Sequence, residues 1–309
     1  MAYLDLKLGY GCNNNCIHCV VSDQRAAARL KRGNEDRSTA ECKKELLDSL
    51  SRGIKQVTFT GGEPTIRPDF LKLLEFAENR GFYLTLQSNG RMFSYPPLAK
   101  AASRHVGRFV IALHGPCAEI HDRTTRMKGS YYQTALGIKN LVSAGSFVLG
   151  KIVITRLNYR RLKETAGQLM LLGAAGVNIA FPHANGAAGS NFDAVVPRYC
   201  GVMPYVRGVI RFVEKRNLSR GVPFSLELEA IPLCLLAGRE KYASDFNNAA
   251  GQYSELKQLD IAPKDWRKAR KEIKRKFPFC AGCRYNALCE GVWAEYPQRR
   301  GAGEFGPVR

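Results

Sequence analysis

The stretch Cys12-Asn-Asn-Asn-Cys16-Ile-His-Cys19 constrains this chain more than any other. Its three cysteines lie within eight residues, directly after a segment, Tyr3 to Gly9, that has the pattern of a first β-strand. Three thiolates on one loop suit an iron–sulfur cluster that keeps one iron open. A structural zinc site would instead take four ligands and close its coordination sphere. The triplet therefore predicts a cluster, with a zinc knuckle or three incidental loop cysteines as alternatives.

A second motif, Gly61-Gly62-Glu63-Pro64, follows the strand-like run 57–60. Glycines at the end of a strand allow the backbone to approach a ligand closely and to adopt positive φ. Pro64 fixes the exit of the turn, and Glu63 offers a carboxylate acceptor. Alone, this tetrapeptide is typical of an ordinary turn, so its significance depends on the cysteine triplet that precedes it.

Together the two motifs resemble those of the radical S-adenosylmethionine (SAM) superfamily, and the similarity in pattern extends from about Tyr3 to Pro182. The resemblance implies that the three cysteines bind a [4Fe–4S] cluster. It also implies that the amino and carboxylate groups of S-adenosylmethionine chelate the open iron, while the Gly-Gly-Glu-Pro loop holds the amino group. One departure is visible. The residue before the third cysteine is usually a larger aromatic, and here it is His18, whose ring could still cover the adenine.

Further side chains at predicted strand ends are candidates for holding the cofactor. Ser88 and Asn89 could hydrogen-bond its ribose or carboxylate, although a plain Asn-Gly turn explains them equally well. A serine that the superfamily often places near the end of strand four is replaced here by Ala112. The family's arginine for the methionine carboxylate is displaced by one position, which leaves Arg126 as a fallback candidate. Phe181, at the end of strand six, could flank the adenine.

A second group of cysteines, Cys280, Cys283 and Cys289, has the spacing CxxCxxxxxC. It looks like the core of the auxiliary-cluster extensions of radical SAM enzymes that are known as SPASM and twitch. The full SPASM form has another cysteine where this chain has Trp293. The resemblance therefore implies a single auxiliary [4Fe–4S] cluster, as in the shorter twitch type.

Three thiolates need a fourth to close such a site. Cys234 is the first choice for this ligand and Cys200 is the runner-up, whereas Cys42 is interpreted as a helix residue in the core. Zinc is the competing metal, because four thiolates satisfy it equally well. A buried, unligated Cys234 is the alternative to ligation.

Strand and helix patterns alternate along the first two thirds of the chain, which predicts βα units and a parallel sheet. Six such units predict an α/β fold, a partial (β/α)6 TIM-like barrel over residues 1–217 with a small auxiliary-cluster extension over 218–309. Ligands of parallel sheets bind beyond the carboxyl ends of the strands, where both motifs fall. Ser38-Thr-Ala-Glu41 predicts a capping box. The segments 115–130 and 184–191 are predicted to be loops.

Composition limits the remaining function classes. The chain has 309 residues without a run of eighteen apolar residues, so no membrane span is predicted. Ten cysteines without an export signal favour metal ligation in a reducing cytoplasm over disulfides. The net charge of +20, from 47 basic and 27 acidic residues, is consistent with an anionic partner. We interpret the basic stretch 267–276 as a solvated helix face. Nucleic-acid contact is less favoured, because no aromatic reading module accompanies the charge.

The resemblance implies a mechanism as well as a site. One electron, from a reductant such as flavodoxin or ferredoxin, cleaves S-adenosylmethionine to a 5′-deoxyadenosyl radical, which removes a hydrogen atom from the substrate. The leading hypothesis is a peptide or small-metabolite substrate in natural-product or cofactor maturation; no catalytic side chain is assigned. With the first strand starting at Tyr3, we expect neither an N-terminal cobalamin domain nor a leader-binding domain. The alternatives are a radical enzyme that modifies tRNA and a non-enzymatic iron–sulfur or zinc protein that binds nucleic acid.

Overall fold

The computed structural model describes residues 2–219, 221–247, 254–257 and 264–309, and the fold is built around one large sheet. Its strands are β1 (Tyr3–Gly9), β2 (Gln56–Gly61), β3 (Tyr83–Ser88), β4 (Arg108–Ala112), β5 (Val148–Val153), β6 (Gly176–Ala180), β7 (Ser225–Glu229), β8 (Ser254–Lys257) and β9 (Lys264–Asp265). Within the described residues their order is β7-β6-β5-β4-β3-β2-β1-β8-β9. All neighbouring strands are parallel except β8 and β9. A separate antiparallel pair joins β10 (Lys274–Arg275) to β11 (Val292–Trp293).

Helices follow most of the strands. The described helices are α1 (Ser22–Arg32), α2 (Thr39–Ser51), α3 (Phe70–Glu78), α4 (Pro96–Ala102), α5 (Ala118–Thr125), α6 (Ser130–Ser143), α7 (Leu162–Leu171), α8 (Ala187–Ser190), α9 (Phe192–Val195), α10 (Tyr199–Leu218), α11 (Ser244–Asn247), α12 (Trp266–Ile273) and α13 (Glu295–Arg300). None of the helices in these ranges is long and apolar enough to cross a membrane.

The predicted α/β fold with a partial TIM-like barrel is confirmed, because β1 to β6 form a parallel sheet in chain order. The sheet is wider than the six predicted units. Strands from beyond residue 217 extend it on both sides: β7 lies beside β6, and β8 lies beside β1. The division between residues 217 and 218 therefore stays a prediction, since both parts share one sheet.

Alternating side chains give the sheet two different faces. In β1, Leu4, Leu6 and Leu8 are at most 1% exposed and belong to the main apolar core. Successive residues of a strand point to opposite faces, so Asp5 and Lys7 between them lie on the other face, where they line a cavity. The apolar face binds the sheet to the helices, and the polar face is left for ligands.

One local prediction is confirmed, and two segments that the sequence predicts to be loops contain helices. The predicted capping box is confirmed: Ser38 and Glu41 exchange hydrogen bonds at the start of α2. By contrast, residues 115–130 were expected as a loop but contain α5, and residues 184–191 contain α8. A further helix, α1, follows the cysteines directly and was not predicted.

The interpretation of 267–276 as a solvated helix face is wrong for two of its cations. The side chains of Arg270 and Lys274 are only 13% and 0% exposed, and both pair with Asp245 and Glu290. Lys268 and Lys271, on the same helix, are exposed as expected. A one-dimensional pattern cannot tell these positions apart, because the acidic partners come from distant segments.

Candidate functional site

The carboxyl ends of the parallel strands surround a cavity of about 750 Å³, which we call the main cavity. Its walls combine the two sequence motifs with the polar face of the sheet and with part of the C-terminal region. The lining includes Cys12, Cys16, His18, Cys19, Gly61, Gly62, Glu63, Ser88, Asn89, His114, Lys151, Phe181, Glu229, Ile273 and Trp293. Seven of the nine predicted cofactor-binding residues are thus brought to one place, and Pro64 and Arg126 lie outside the lining.

The cysteine loop (residues 10–21) is held by neighbours that the sequence did not identify. Its backbone N–H groups at Asn15 and Ile17 donate to carbonyl oxygens at the end of α5, both at 3.0 Å. On its other side, the N–H of Ala187 in α8 donates to the carbonyl of Cys19 at 2.9 Å. The two segments predicted as loops are therefore the helices that fix the position of the thiols.

The three thiols suit a metal cluster chemically. Burial raises the pKa of Cys12 to about 11 and also raises the pKa of Cys16 and of Cys19. A bound metal would supply the positive charge that converts such thiols to thiolates. Within the described ranges, no three Cys, His, Asp or Glu side chains form a group that could hold a single metal ion. A cubane does not require such convergence, because each thiolate binds a different iron.

The two glycines of the second motif serve the packing of backbone against backbone. A Cβ at Gly61 would lie 2.1 Å from the carbonyl oxygen of Gly9, and one at Gly62 would lie 2.1 Å from that of Gly11. Gly61 also has a φ of 128°, which favours glycine. Hydrogen bonds from Gly62 and Glu63 to β1 and the cysteine loop, 2.9 and 2.8 Å long, complete this contact.

We expect Gly62→Ala to destabilise the apoprotein by about 1–3 kcal/mol, because the methyl group must displace the backbone of the cysteine loop. The lowered midpoint of thermal unfolding would measure this effect. Gly201→Ala is the matched control: nothing lies within 4 Å of a Cβ there, and an exposed helical alanine should be neutral or stabilising by up to about 1 kcal/mol. Equal unfolding midpoints for the two variants would contradict the proposed contact.

Glu63 is buried and bound to other protein groups. Its Oε1 accepts hydrogen bonds from the N–H and hydroxyl of Thr65 at 3.1 and 2.6 Å and from the hydroxyl of Ser88 at 2.8 Å. Its Oε2 accepts the N–H of Asn89 at 2.6 Å. Burial raises the pKa of Glu63, and these donors oppose that shift. The carboxylate joins β2 to β3 and keeps acceptor capacity at Oε2.

Asn89 and Arg91 connect the end of β3 to the cysteine loop. The side-chain amide of Asn89 donates to Asn13 at 2.6 Å. Arg91 donates to the carbonyl of Asn13 and, at 2.9 Å, to the side chain of Asn14. Arg91 is not predicted from the sequence, because an arginine after an Asn-Gly turn matches no motif.

Three buried histidines lie at the next strand end. The rings of His18 and His114 meet edge to face at 4.5 Å, and His114 stacks on His121 at 5.9 Å. Burial lowers the pKa of all three, to about 4 for His18 and His121, so they are neutral at pH 7. Within the described part of the chain, His18 Nδ1 has no hydrogen-bond partner. This unpaired nitrogen in the cavity wall fits a ligand with polar groups, as the purine of S-adenosylmethionine has.

Two of the predicted cofactor residues are placed differently from the expectation. Arg126 is exposed at the end of α5 and does not line the main cavity. Phe181 does line it, but its ring stacks on Tyr199 with centroids 3.6 Å apart and meets Tyr296 edge to face. Core packing therefore occupies the Phe181 ring, and its contact with adenine stays a prediction.

Charged side chains on the inner wall of the cavity were also missed. Lys151 on β5 donates to Asn178 on β6 at 2.6 Å and to Glu229 on β7. The nearby Lys151 holds the pKa of Glu229 well below its usual value. Elsewhere in the lining of the main cavity, Lys7 on β1 pairs with Asp5 at 2.8 Å. Polar residues in strand patterns look like solvent-facing positions, so the sequence gives no signal for an inner wall.

The second group of cysteines also converges. Cys234, Cys280, Cys283 and Cys289 line one small cavity, the four-cysteine cavity. Burial raises the pKa of Cys234 to about 11 and raises that of Cys289. Backbone N–H groups donate to three sulfur atoms, each at 3.4 Å: Phe277 to Cys280, Gly291 to Cys289 and Val308 to Cys283. Such bonds stabilise metal-bound thiolates, so the chemistry of this donor set fits a cluster, whose irons are bound by one thiolate each. Cys200 is exposed and does not line the cavity.

Comparison with known proteins identifies the class. The family model described as the Radical SAM superfamily matches residues 6–169, more than half of the chain. The chain therefore belongs to the radical SAM superfamily and is an enzyme, which sets aside the non-enzymatic alternative. Membership implies a [4Fe–4S] cluster and S-adenosylmethionine as cofactors.

Individual relatives are more distant. Mycofactocin maturase MftC of Mycolicibacterium smegmatis is 34% identical over 174 residues, which cover 55% of this chain and 42% of that protein. AdoMet-dependent heme synthase of Methanosarcina barkeri is 27% identical over 62% of this chain and 53% of its own length. PqqA peptide cyclase of Rhodopseudomonas palustris is 32% identical over 41% of this chain and 32% of its own length. The chain thus spans about half or less of the length of these curated relatives.

One solved structure extends the fold comparison. Streptococcus suis SuiB bound to S-adenosylmethionine superposes with a TM-score of 0.67 at 13% identity, over 99% of this chain and 76% of that chain. At this identity the similarity concerns the fold alone.

Proposed function

We propose that this enzyme removes a hydrogen atom from a peptide substrate held in the main cavity, and that an auxiliary [4Fe–4S] cluster binds at the four-cysteine cavity. One observation carries the proposal: the three-cysteine loop, the Glu63 loop and a charged inner wall line the same cavity. When bound, the cluster and S-adenosylmethionine would supply the 5′-deoxyadenosyl radical.

The chain's own residues orient the reactants. Arg91, α5 and α8 fix the cysteine loop, while Glu63 fixes the ends of β2 and β3. Lys151 and Glu229 offer a hydrogen-bond donor and an acceptor to a polar substrate on the far wall. Pockets that bury one drug-sized molecule have volumes of about 300–1,000 Å³. The main cavity, at about 750 Å³, lies within this range.

The peptide assignment is supported by the relative named PqqA peptide cyclase. The relative named AdoMet-dependent heme synthase supports the second candidate, a small-metabolite substrate. Both candidates need a one-electron reductant such as flavodoxin or ferredoxin. The four thiols around one cavity support the auxiliary cluster, with zinc as the competing metal.

The test uses anaerobically reconstituted protein reduced with dithionite. It should release 5′-deoxyadenosine from S-adenosylmethionine, even slowly without substrate. Deuterated candidate peptides, including any short peptide that a neighbouring gene encodes, should accelerate release and transfer deuterium to the nucleoside, detected by mass spectrometry. No release at all would contradict the catalytic assignment. Release that responds to small metabolites but never to the peptide would contradict the peptide assignment alone.

Glu63→Gln should raise the dissociation constant of S-adenosylmethionine about tenfold or more, because the cofactor's ammonium group loses a charged acceptor. Isothermal titration of the reconstituted protein measures this constant. Thr65→Val is the control, since Thr65 donates to Glu63 at 2.6 Å but does not line the main cavity. We expect it to change affinity only slightly. If both variants weaken S-adenosylmethionine binding equally, Glu63 contributes only by connecting the ends of β2 and β3.

A further inference from the structure

A cluster of four charged side chains, two of them buried and two partly buried, lies beside the four-cysteine cavity, and we call it the charge cluster. Arg270 of α12 and Lys274 of β10 each contact Asp245 of α11 and Glu290. Both cations approach Glu290 to 2.5 Å and Asp245 to 3.4–3.5 Å. The side chains of Lys274 and Asp245 are 0% and 1% exposed. Two cations and two anions leave the cluster neutral.

On one side the charge cluster adjoins the metal-binding cysteines. Glu290 directly follows Cys289, which lines the four-cysteine cavity. The N–H of Glu290 donates to Asp245 at 3.2 Å, so backbone and side chain are both held. A shift of Cys289 would therefore move Glu290 relative to its cations.

On the other side the charge cluster supports the wall of the main cavity. Arg270 lies on α12, and three neighbours on that helix, Ala269, Glu272 and Ile273, line the main cavity. Lys274 pairs with Trp293 across the short β10–β11 sheet and lies 5.0 Å from its ring centroid. Trp293 also lines the main cavity, where it stacks on His183 at 4.1 Å.

Stability alone gives little reason for this arrangement. Burying charges costs desolvation energy, and apolar residues of similar volume often stabilise a protein as well or better. What buried ions can supply is a specific arrangement, because removal of one partner leaves another charge unpaired. Here the arrangement connects a metal site with the wall of a separate ligand site.

We infer that the charge cluster couples metal binding at the four-cysteine cavity to the closure of the main cavity by α12 and Trp293. The inference rests on the proposed auxiliary cluster. Metal binding fixes Cys289 and hence Glu290, which holds Arg270 and Lys274 and, with them, this wall. Such coupling is reciprocal. S-adenosylmethionine should therefore slow the removal of iron from the auxiliary site by a chelator.

The test compares wild type with Lys274→Met/Glu290→Gln, which removes one charge of each sign and keeps the Arg270–Asp245 pair. Lys268→Met is the matched control, because Lys268 is an exposed residue of the same helix. Each protein is reconstituted, and four quantities are measured: iron per chain, the rate at which a chelator removes iron with and without S-adenosylmethionine, the dissociation constant of S-adenosylmethionine, and the rate of tryptic cleavage at Lys271, a site that every variant keeps. Glu290→Gln alone provides the comparison if the double variant does not fold.

We expect the double variant to bind S-adenosylmethionine about fivefold or more weakly and to be cleaved faster within α12, while Lys268→Met resembles wild type. In the double variant, S-adenosylmethionine should no longer slow the removal of iron from the auxiliary site by the chelator. Full iron content with unchanged affinity, cleavage and protection would overturn the inference and leave the auxiliary cluster in place. Half the expected iron in wild type would overturn the auxiliary cluster and the inference together.

Discussion

Cys16→Ala should abolish the release of 5′-deoxyadenosine and lower the iron content from about eight to about four atoms per chain, the contents of two cubanes and of one. Cys16 lies in the middle of the cysteine loop and lines the main cavity. Two remaining thiolates cannot hold a cluster that already leaves one iron without a protein ligand. Iron analysis and liquid chromatography of the nucleoside measure the two effects.

Cys42→Ala is the control for this substitution. Cys42 is 0% exposed within the apolar core, and it lines neither cavity. Its loss should lower stability without changing iron content or nucleoside release. If Cys16→Ala keeps all the iron of the wild-type protein, the cysteine loop does not hold the cluster.

The strands and the loops at their carboxyl ends could be predicted because local patterns determine them. The predicted bounds of β1, Tyr3 to Gly9, are those of the structure. Alternating side chains and a following glycine or cysteine loop are signals within a few residues. Since all strands of a parallel sheet end at one edge, the convergence of distant loops also followed from the fold class.

The contacts that fix the site could not be predicted, because their partners are distant in sequence. Arg91 reaches Asn14 across 77 positions. Residues near the end of α5 hold the cysteine loop through backbone carbonyls, which carry no side-chain signature. The burial of Lys274 depends on Asp245 and Glu290, which only the folded chain brings beside it.

Phe181 shows how a predicted position can come with packing contacts that the sequence does not reveal. It lies at the end of the sheet and lines the main cavity, as a residue beside adenine would. Its ring nevertheless stacks on Tyr199 of α10 and meets Tyr296 of α13 edge to face. The sequence shows an aromatic at a strand end, but the neighbours that compete for its faces lie 18 and 115 residues further along the chain.

The fourth ligand of the auxiliary site gives the second large expected effect. Cys234→Ala should lower the iron content or alter the electron paramagnetic resonance signal of the auxiliary cluster. Cys234 lies in a short turn, Leu233–Leu235, and lines the same cavity as the other three cysteines. If Cys234 is a ligand, metal binding contributes to the folding free energy of both its turn and the C-terminal segment that carries the other three cysteines. The variant should therefore be cleaved faster by protease in its C-terminal third.

Cys200→Ala is the matched control, because Cys200 is exposed on α10 and lies outside the four-cysteine cavity. It should leave iron content, signal and protease resistance unchanged. The opposite behaviour of the two variants would make Cys200 the fourth ligand, against the geometry. If neither variant changes anything, three thiolates alone hold the auxiliary cluster, and its fourth iron is open to a substrate. Cys234, which is partly buried, would then be only a packing residue, with its thiol protonated at a pKa raised by burial to about 11.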